Sequence, residues 1–404
     1  MTKLILFDSD VRNHLLPLTY SRPVGDLRIG ILTIREKWEQ HLRLSGSFLT
    51  DDSLRALFPV SYGDRNILVN GCVLPDEELA ALVLDLDPGQ AYRKDGRLIA
   101  TCLDKAAVEA LVNDDVFNDI KAFELSDYTP QTILRPADIF GQNAAQIRAD
   151  YDLLTKDKTS GTPSATNTII GPAENLFLEE GVTMEACVLN VTEGPIYLGK
   201  NSTLLEGALL RGPIALGERS TIKMGAKIYG GTTIGPDCKV GGEVSNVVFH
   251  GNSNKGHDGY LGNAVIGQWC NIGADTNASN LKNDYGEVRV WSYVEEKFAD
   301  TGLQFHGLIM ADHAKLAINT MLNTGTVIGF SANVYGEGFP RAFIPSFVWG
   351  GAGGMVTYRL DKAIATAERV VARRHQELTE ADRALFTTLF EQTSKWRKWE
   401  NAGK

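Results

Sequence analysis

The residues best suited to chemistry lie in the stretch Asn252-Ser-Asn-Lys-Gly-His-Asp-Gly-Tyr-Leu-Gly262. His257 stands there among glycines and small polar residues, not on an apolar face. A neutral imidazole near pH 7 can take a proton from an amine attacking a thioester. The tetrahedral intermediate of that reaction needs donors for its oxyanion, and backbone N–H groups of a glycine-rich turn can supply them. A second candidate is the loop Leu18-Thr-Tyr-Ser-Arg-Pro-Val-Gly-Asp-Leu-Arg-Ile-Gly30. Arg22, Gly25 and Arg28, with Lys37 beyond, could cradle a nucleotide phosphate through cationic side chains and backbone N–H groups. The same residues could equally form an arginine–carboxylate structural loop.

The element that must position His257 shows itself as a period of six. Leu198, Leu204, Leu210, Leu216, Ile222, Ile228, Ile234 and Val240 recur at that spacing, and Met310, Leu316, Leu322, Ile328 and Val334 repeat it. Ile266-Gly267 and Ile272-Gly273 lie between them at the same interval. Period six fits neither an α-helix nor a simple alternating strand. It fits a parallel β-helix in which each hexapeptide supplies one flat side, its aliphatic residue pointing inward. The repeat is interrupted at 246–260 and 277–306, and insertions in a solenoid often mark its binding face.

Residues 1–151 read as an α/β domain. Strands are expected at Leu4–Phe7, Phe48–Leu49 and Ile67–Val69, a helix over Ile31–Leu44 and another after Pro75. A hairpin should turn at Asp95-Gly96, and a helix should run from Pro136 to Tyr151. Residues 152–168 read as a linker, 169–355 as the coil, and 356–404 as a C-terminal helical segment with Leu360, Ile364, Ala367, Val371 and His375 near one face.

The formal net charge of −10 argues against a general nucleic-acid binder or a membrane-surface protein. No apolar run approaches the roughly 20 residues that span a bilayer. The first residues, with Asp8 and Asp10, do not read as a signal peptide. The five cysteines, Cys72, Cys102, Cys187, Cys238 and Cys270, are scattered, which disfavours a disulfide framework or zinc site and fits a cytoplasmic setting.

The stretch from Lys255 to Ala274 resembles the acetyltransferase core of the bifunctional UDP-N-acetylglucosamine diphosphorylase/glucosamine-1-phosphate N-acetyltransferase family, in a variant bacterial form. The shared pattern is a histidine followed by Tyr-Leu-Gly-x-Ala-x-Ile-Gly and then Asn-Ile-Gly-Ala. The resemblance implies His257 as catalytic base, and Lys255, Tyr260, Asn271 and Asn280 as substrate-binding residues. It implies acetyl-CoA as co-substrate, contacted near Asp312 and Phe330 in the rungs that follow Met310. It also implies a left-handed coil and a homotrimer with sites between adjacent coils. The family's Cys-Asn-Tyr-Asp-Gly motif departs here, with Leu281 in the place of its tyrosine.

The loop Leu18–Gly30 resembles the Leu-Thr-x-x-Arg-Pro-x-x-Asp-Leu-Arg-x-Gly element of the same variant form, which implies UTP and a sugar phosphate as substrates and Mg²⁺ for the transfer. Where the family carries a Mg²⁺-binding aspartate, this chain resembles it with Cys72, a poor ligand for a hard cation. The metal ligands therefore stay unknown, with Asp8, Asp10 and Asp76 as candidates. The expected activity is acetylation of glucosamine 1-phosphate and uridylyl transfer to give UDP-N-acetylglucosamine. The alternatives are one active half only (an acyltransferase on another amino sugar, or a pyrophosphorylase with a structural coil) and a non-catalytic sugar-nucleotide-binding scaffold.

Overall fold

The computed structural model describes residues 1–112 and 121–400. The chain divides into two compact units. The first comprises Met1–Leu15, Ser21–Leu27 and Leu32–Arg135; the second comprises Leu16–Tyr20, Arg28–Ile31 and Pro136–Lys404. The helix from Pro136, expected in the amino-terminal domain, thus belongs with the coil, as do two short pieces of the Arg-Pro loop region.

The first unit is built on a six-stranded sheet in the order Gly46–Leu49, Thr2–Phe7, Arg65–Asn70, Arg97–Asp104, Gln90–Lys94, Lys121–Glu124. The first three strands are parallel, and Arg65–Asn70 meets Arg97–Asp104 antiparallel. Leu4, Ile5 and Leu6 are buried, as suits a strand covered on both faces. The expected hairpin turns at Asp95 (φ 49°) and Gly96 (φ 76°), the two positive φ values a tight type I′ connection needs. The helix Ile34–Leu42 starts on a capping box between Thr33 and Glu36. Its Trp38 indole donates to the Val73 carbonyl (2.9 Å), pinning the helix to the short strand Val73–Leu74, which pairs with Gln131–Thr132.

The second unit is a parallel β-solenoid. Thr203 pairs with Thr221 and Thr221 with Lys239, a rung of 18 residues, or three hexapeptides. The inward neighbours Leu204, Ile222 and Val240 stack as one aliphatic ladder within a continuous core. One corner of each rung takes a left-handed backbone, at Asn201, Arg219, Asp237, Asn252, Trp269, His313, Ser331 and Phe347.

The two expected interruptions turn out to differ in kind. Residues 246–260 do not loop out. Glu243–Gly251 is one continuous strand lying parallel to Tyr260–Gln268, in rungs shortened to 15 and 17 residues (Lys239↔Asn254↔Asn271). The second interruption is a true insertion: Asn271 pairs with Lys315, 44 residues on, and the excess forms the antiparallel hairpin Arg289–Ser292/Lys297–Asp300.

One face of the coil is covered by the helix Pro136–Thr155, which runs four residues further than expected and takes up the start of the expected linker. Its buried Asn143 accepts from Gly30 N–H (2.7 Å) and donates to the Gly231 carbonyl (2.7 Å) and the Thr233 hydroxyl (3.0 Å). Asp150 accepts from Ile31 N–H (2.7 Å). A C-terminal helix was expected; the segment forms two, Leu360–Ala372 and Glu380–Gln392, the second opened by a Thr379/Asp382 capping box. Phe386 packs edge-on against Phe330, with ring centroids 4.8 Å apart, and Phe390 against Phe347 at 5.1 Å. No helix among the described residues is long and apolar enough to cross a membrane.

Candidate functional site on the solenoid

The turn 255–260 is held from below by the following rung. Asp258 O accepts from Asp275 N–H (3.0 Å), and Tyr260 N–H donates to Asn277 Oδ1 (2.8 Å). Gly259 has φ +111°, and a Cβ there would lie 2.2 Å from the Thr276 carbonyl, so the close approach of the rungs requires glycine. This scaffold presents His257 to solvent, and its ring makes no hydrogen bond among the described residues.

Tyr260 and Asn280 meet. Asn280 Nδ2 donates to the Tyr260 hydroxyl (3.0 Å) and to Asn263 Oδ1 (2.7 Å). Burial raises the Tyr260 phenol above its ordinary pKa, so it stays protonated and able to donate. Gly262 lies under this pair: a Cβ there would fall 2.3 Å from Tyr260 Oη and 2.6 Å from Asn280 Nδ2. Gly262, Asn263 and Asn277 escaped the sequence reading. Asn263 carried one usable signal, since asparagine tolerates the positive φ (46°) it adopts at a corner.

Lys255 is the unexpected member. It is 1% exposed and continues the ladder of Leu204, Ile222 and Val240, in register with Val240. Its ammonium donates to the carbonyls of His257 (2.8 Å), Gly241 (3.3 Å) and Asp258 (3.3 Å). Burial lowers its pKa to about 8. It was expected to bind substrate, yet its charged end is turned into the coil corner.

The remaining candidates are dispersed. Asn271 is exposed on a different sheet, in the outward column Asn254–Asn271–Lys315, and makes no hydrogen bond to Tyr260 or Asn280. Asp312 and Phe330, the expected acetyl-CoA contacts, are interior. Asp312 is 4% exposed and accepts from Gln268 N–H (2.7 Å), and Phe330 is packed among Phe347, Phe386 and His313. The carboxy-terminal helix covers the Phe330 ring through Phe386.

In the first unit, Arg22 is buried and pairs with Asp26 (3.3 Å), the arginine–carboxylate alternative. Lys37 is buried in its helix, and Gly25 lies tight against Leu6 and Phe48. Arg28 belongs to the second unit, where it donates to the carbonyls of His250 (3.2 Å) and Ile31. Arg22, Gly25 and Lys37, within the first unit, do not form an exposed cradle.

The candidate metal positions fit a divalent cation poorly. Cys72 is fully buried and its thiol is pushed up to about 12 by burial. Asp8 accepts from Val24 N–H (2.8 Å) and Thr50 (2.6 Å), and Asp76 caps Leu79 N–H (2.8 Å) and accepts from Tyr128 (2.6 Å). Asp10 and Asp76 are exposed, and the described residues hold no cluster of three ligating side chains.

Comparison with known proteins bears on the first unit most directly. Residues 4–159 match the sugar nucleotidyl transferase family model. A bifunctional sugar-1-phosphate nucleotidylyltransferase/acetyltransferase from Sulfurisphaera tokodaii is 33% identical over 93 residues, 23% of this chain. The matched stretch is likewise 23% of that protein, so the chain spans about a quarter of the curated relative's length. Among solved structures, the polysialic-acid-specific acetyltransferase NeuO is similar over 52% of this chain and 99% of its own, at 12% identity and a TM-score of 0.29. Arabidopsis UDP-N-acetylglucosamine acyltransferase is similar over 58% of this chain and 91% of its own, at 14% identity and a TM-score of 0.24.

Proposed function

We propose that this chain is a two-part transferase of amino-sugar nucleotide synthesis, whose solenoid moves an acetyl group from acetyl-CoA to the amine of an amino-sugar 1-phosphate, glucosamine 1-phosphate in the first instance. The observation that carries the reading is the exposed His257 in the turn that leads directly into Tyr260, itself part of the Tyr260–Asn280–Asn263 hydrogen-bonded group. In the reaction the amine nitrogen attacks the thioester carbonyl carbon, and the C–S bond breaks as the tetrahedral intermediate collapses. His257 takes the proton the nitrogen sheds and returns it to the departing thiolate, so free CoA leaves as thiol. Tyr260 and Asn280 offer a hydroxyl and an amide at one place, suited to sugar hydroxyls.

Asn271 faces a different side of the coil from Tyr260. A site needing both is completed where one coil's face meets the next, which supports a homotrimer. The sugar nucleotidyl transferase match supports the second activity, uridylyl transfer from UTP to the acetylated sugar phosphate with release of pyrophosphate. The burial of Cys72, Arg22 and Lys37 favours a second reading in which only the acyl-transfer half is active.

The test is a coupled assay with purified protein, glucosamine 1-phosphate, acetyl-CoA, UTP and Mg²⁺, omitting one component at a time. Free CoA requiring glucosamine 1-phosphate supports the acetyl-transfer half, and pyrophosphate requiring UTP supports the other. Failure to release CoA with any amino-sugar phosphate sinks the acetyl-transfer reading.

A further inference from the structure

A cation at a ladder position of a solenoid core calls for a reason. Ladder sites favour aliphatic residues, and an isolated buried ammonium is costly. Lys255 nonetheless takes that position and spends its donors on three backbone carbonyls, those of Gly241, His257 and Asp258. Two of the three belong to the turn that carries the exposed imidazole. The main chain of the turn is held as well by Gly241 N–H on the Lys255 carbonyl (2.7 Å) and Glu243 N–H on the Gly259 carbonyl (3.2 Å) from the preceding rung, and by the Asp258–Asp275 and Tyr260–Asn277 bonds of the next. The shortest of the ammonium's three bonds is to the carbonyl of His257 itself.

Resting on the acetyl-transfer reading, we infer that Lys255 is a positioning residue that acts through His257: its ammonium, fixed inside the coil, clamps the main chain of the turn and so sets where the imidazole stands. It touches no substrate, which replaces the substrate-binding role expected for it. The arrangement is a tether from the core to a surface base. It explains why the turn can be short, glycine-rich and exposed, yet present one side chain in one place. Catalytic geometry of this kind is sensitive to displacements of about 1 Å, which can cost on the order of 100-fold in rate.

The test compares wild type with Lys255→Met, which fills the ladder without the charge, and Lys255→Gln, which keeps a shorter neutral donor. Acetyl transfer by Lys255→Met is expected to lose at least about tenfold in kcat with KM for acetyl-CoA little changed, and Lys255→Gln to lose less. In a His257→Ala background, Lys255→Met should cost almost nothing more, because the lysine works only through the histidine. Independently of turnover, carbethoxylation by diethyl pyrocarbonate, read by peptide mass spectrometry, should change in rate at His257. The exposed His14 and His375 should label as in wild type. Unchanged kcat in Lys255→Met, losses that add to those of His257→Ala, or an unchanged labelling rate at His257 would overturn the inference. If wild type itself releases no CoA, the acetyl-transfer reading has failed, and the labelling arm still decides whether Lys255 holds the turn.

Discussion

Replacing Lys255 by methionine should leave stability at pH 7 almost where it is and abolish one component of its pH dependence. The lysine's pKa falls from 10.5 to about 8 in the folded protein because the ammonium is buried. At about 1.4 kcal/mol per pKa unit, its protonated form costs about 3 kcal/mol relative to the unfolded chain. Methionine removes that cost. It also strips partners from the carbonyls of Gly241 and His257, while Asp258 O keeps Asp275 N–H. Two orphaned buried acceptors cost about 1–3 kcal/mol each, so the two effects nearly cancel. The pH signature does not cancel. Between pH 8 and 10.5 the unfolded lysine holds its proton while the folded one has released it, so wild-type stability rises with pH relative to the variant. This contribution is fully present above 10.5 and is lost as pH falls through 8. Urea unfolding of both proteins at steps from pH 7 to 10.5 measures it. The wild-type-minus-variant difference should climb by about 3 kcal/mol over that range, and a flat difference would refute a charged ammonium inside the coil.

Gly262→Ala pushes a methyl group against Tyr260 Oη and Asn280 Nδ2, the mobile ends of two side chains. Its melting temperature should stay within about 3 °C of wild type while acetyl transfer drops at least tenfold; full activity would remove the Tyr260–Asn280 pair from the site. Phe330→Ala empties the aromatic cluster under the carboxy-terminal helix and should cost about 3–5 kcal/mol in urea unfolding with KM for acetyl-CoA unchanged. A raised KM at unchanged stability would restore the expected cofactor role. All five cysteines are buried, and burial raises the thiol pKa of each. Native protein at pH 8 should therefore resist iodoacetamide until denatured. Rapid modification of Cys72 would show that its site is open.

The solenoid was legible because each hexapeptide repeats one physical demand, an aliphatic side chain facing inward, and the pairing Thr203↔Thr221↔Lys239 follows from it. The same logic misread residues 246–260 as a looped insertion. The ladder does not break there; Lys255 occupies the aliphatic slot, and a charged residue hides the period. Shorter rungs around Asn254 deepen the disguise. His257 was a candidate from its loop chemistry and Tyr260 and Asn280 from the family resemblance; the contacts of that segment with Asn277, Gly262 and Asn263 depend on which rung lies beneath which. Asp312 and Phe330 were expected as cofactor contacts from the family resemblance, and spacing along the chain carries no sign of the helix that packs over Phe330. The helix Pro136–Thr155 is tied to the coil by Asn143, bonded to Gly231 and Thr233, and by Tyr151, bonded to the Glu174 carbonyl, polar residues whose long-range partners no local pattern announces.

The 44-residue rung has a consequence for how this molecule can be altered. Chain leaves the stack after Ala278 and returns at Ile309 with pairing intact on both sides, so length added at the hairpin between them is invisible to the rungs above and below. The hairpin is fastened by Trp291 and Tyr293 against Phe343 and Trp396, whereas Val294 at its tip is exposed. That tip is a natural splice point. A reporter or a foreign binding module joined there would ride on the coil without resetting its register, in a region of sequence close to the turn that carries His257.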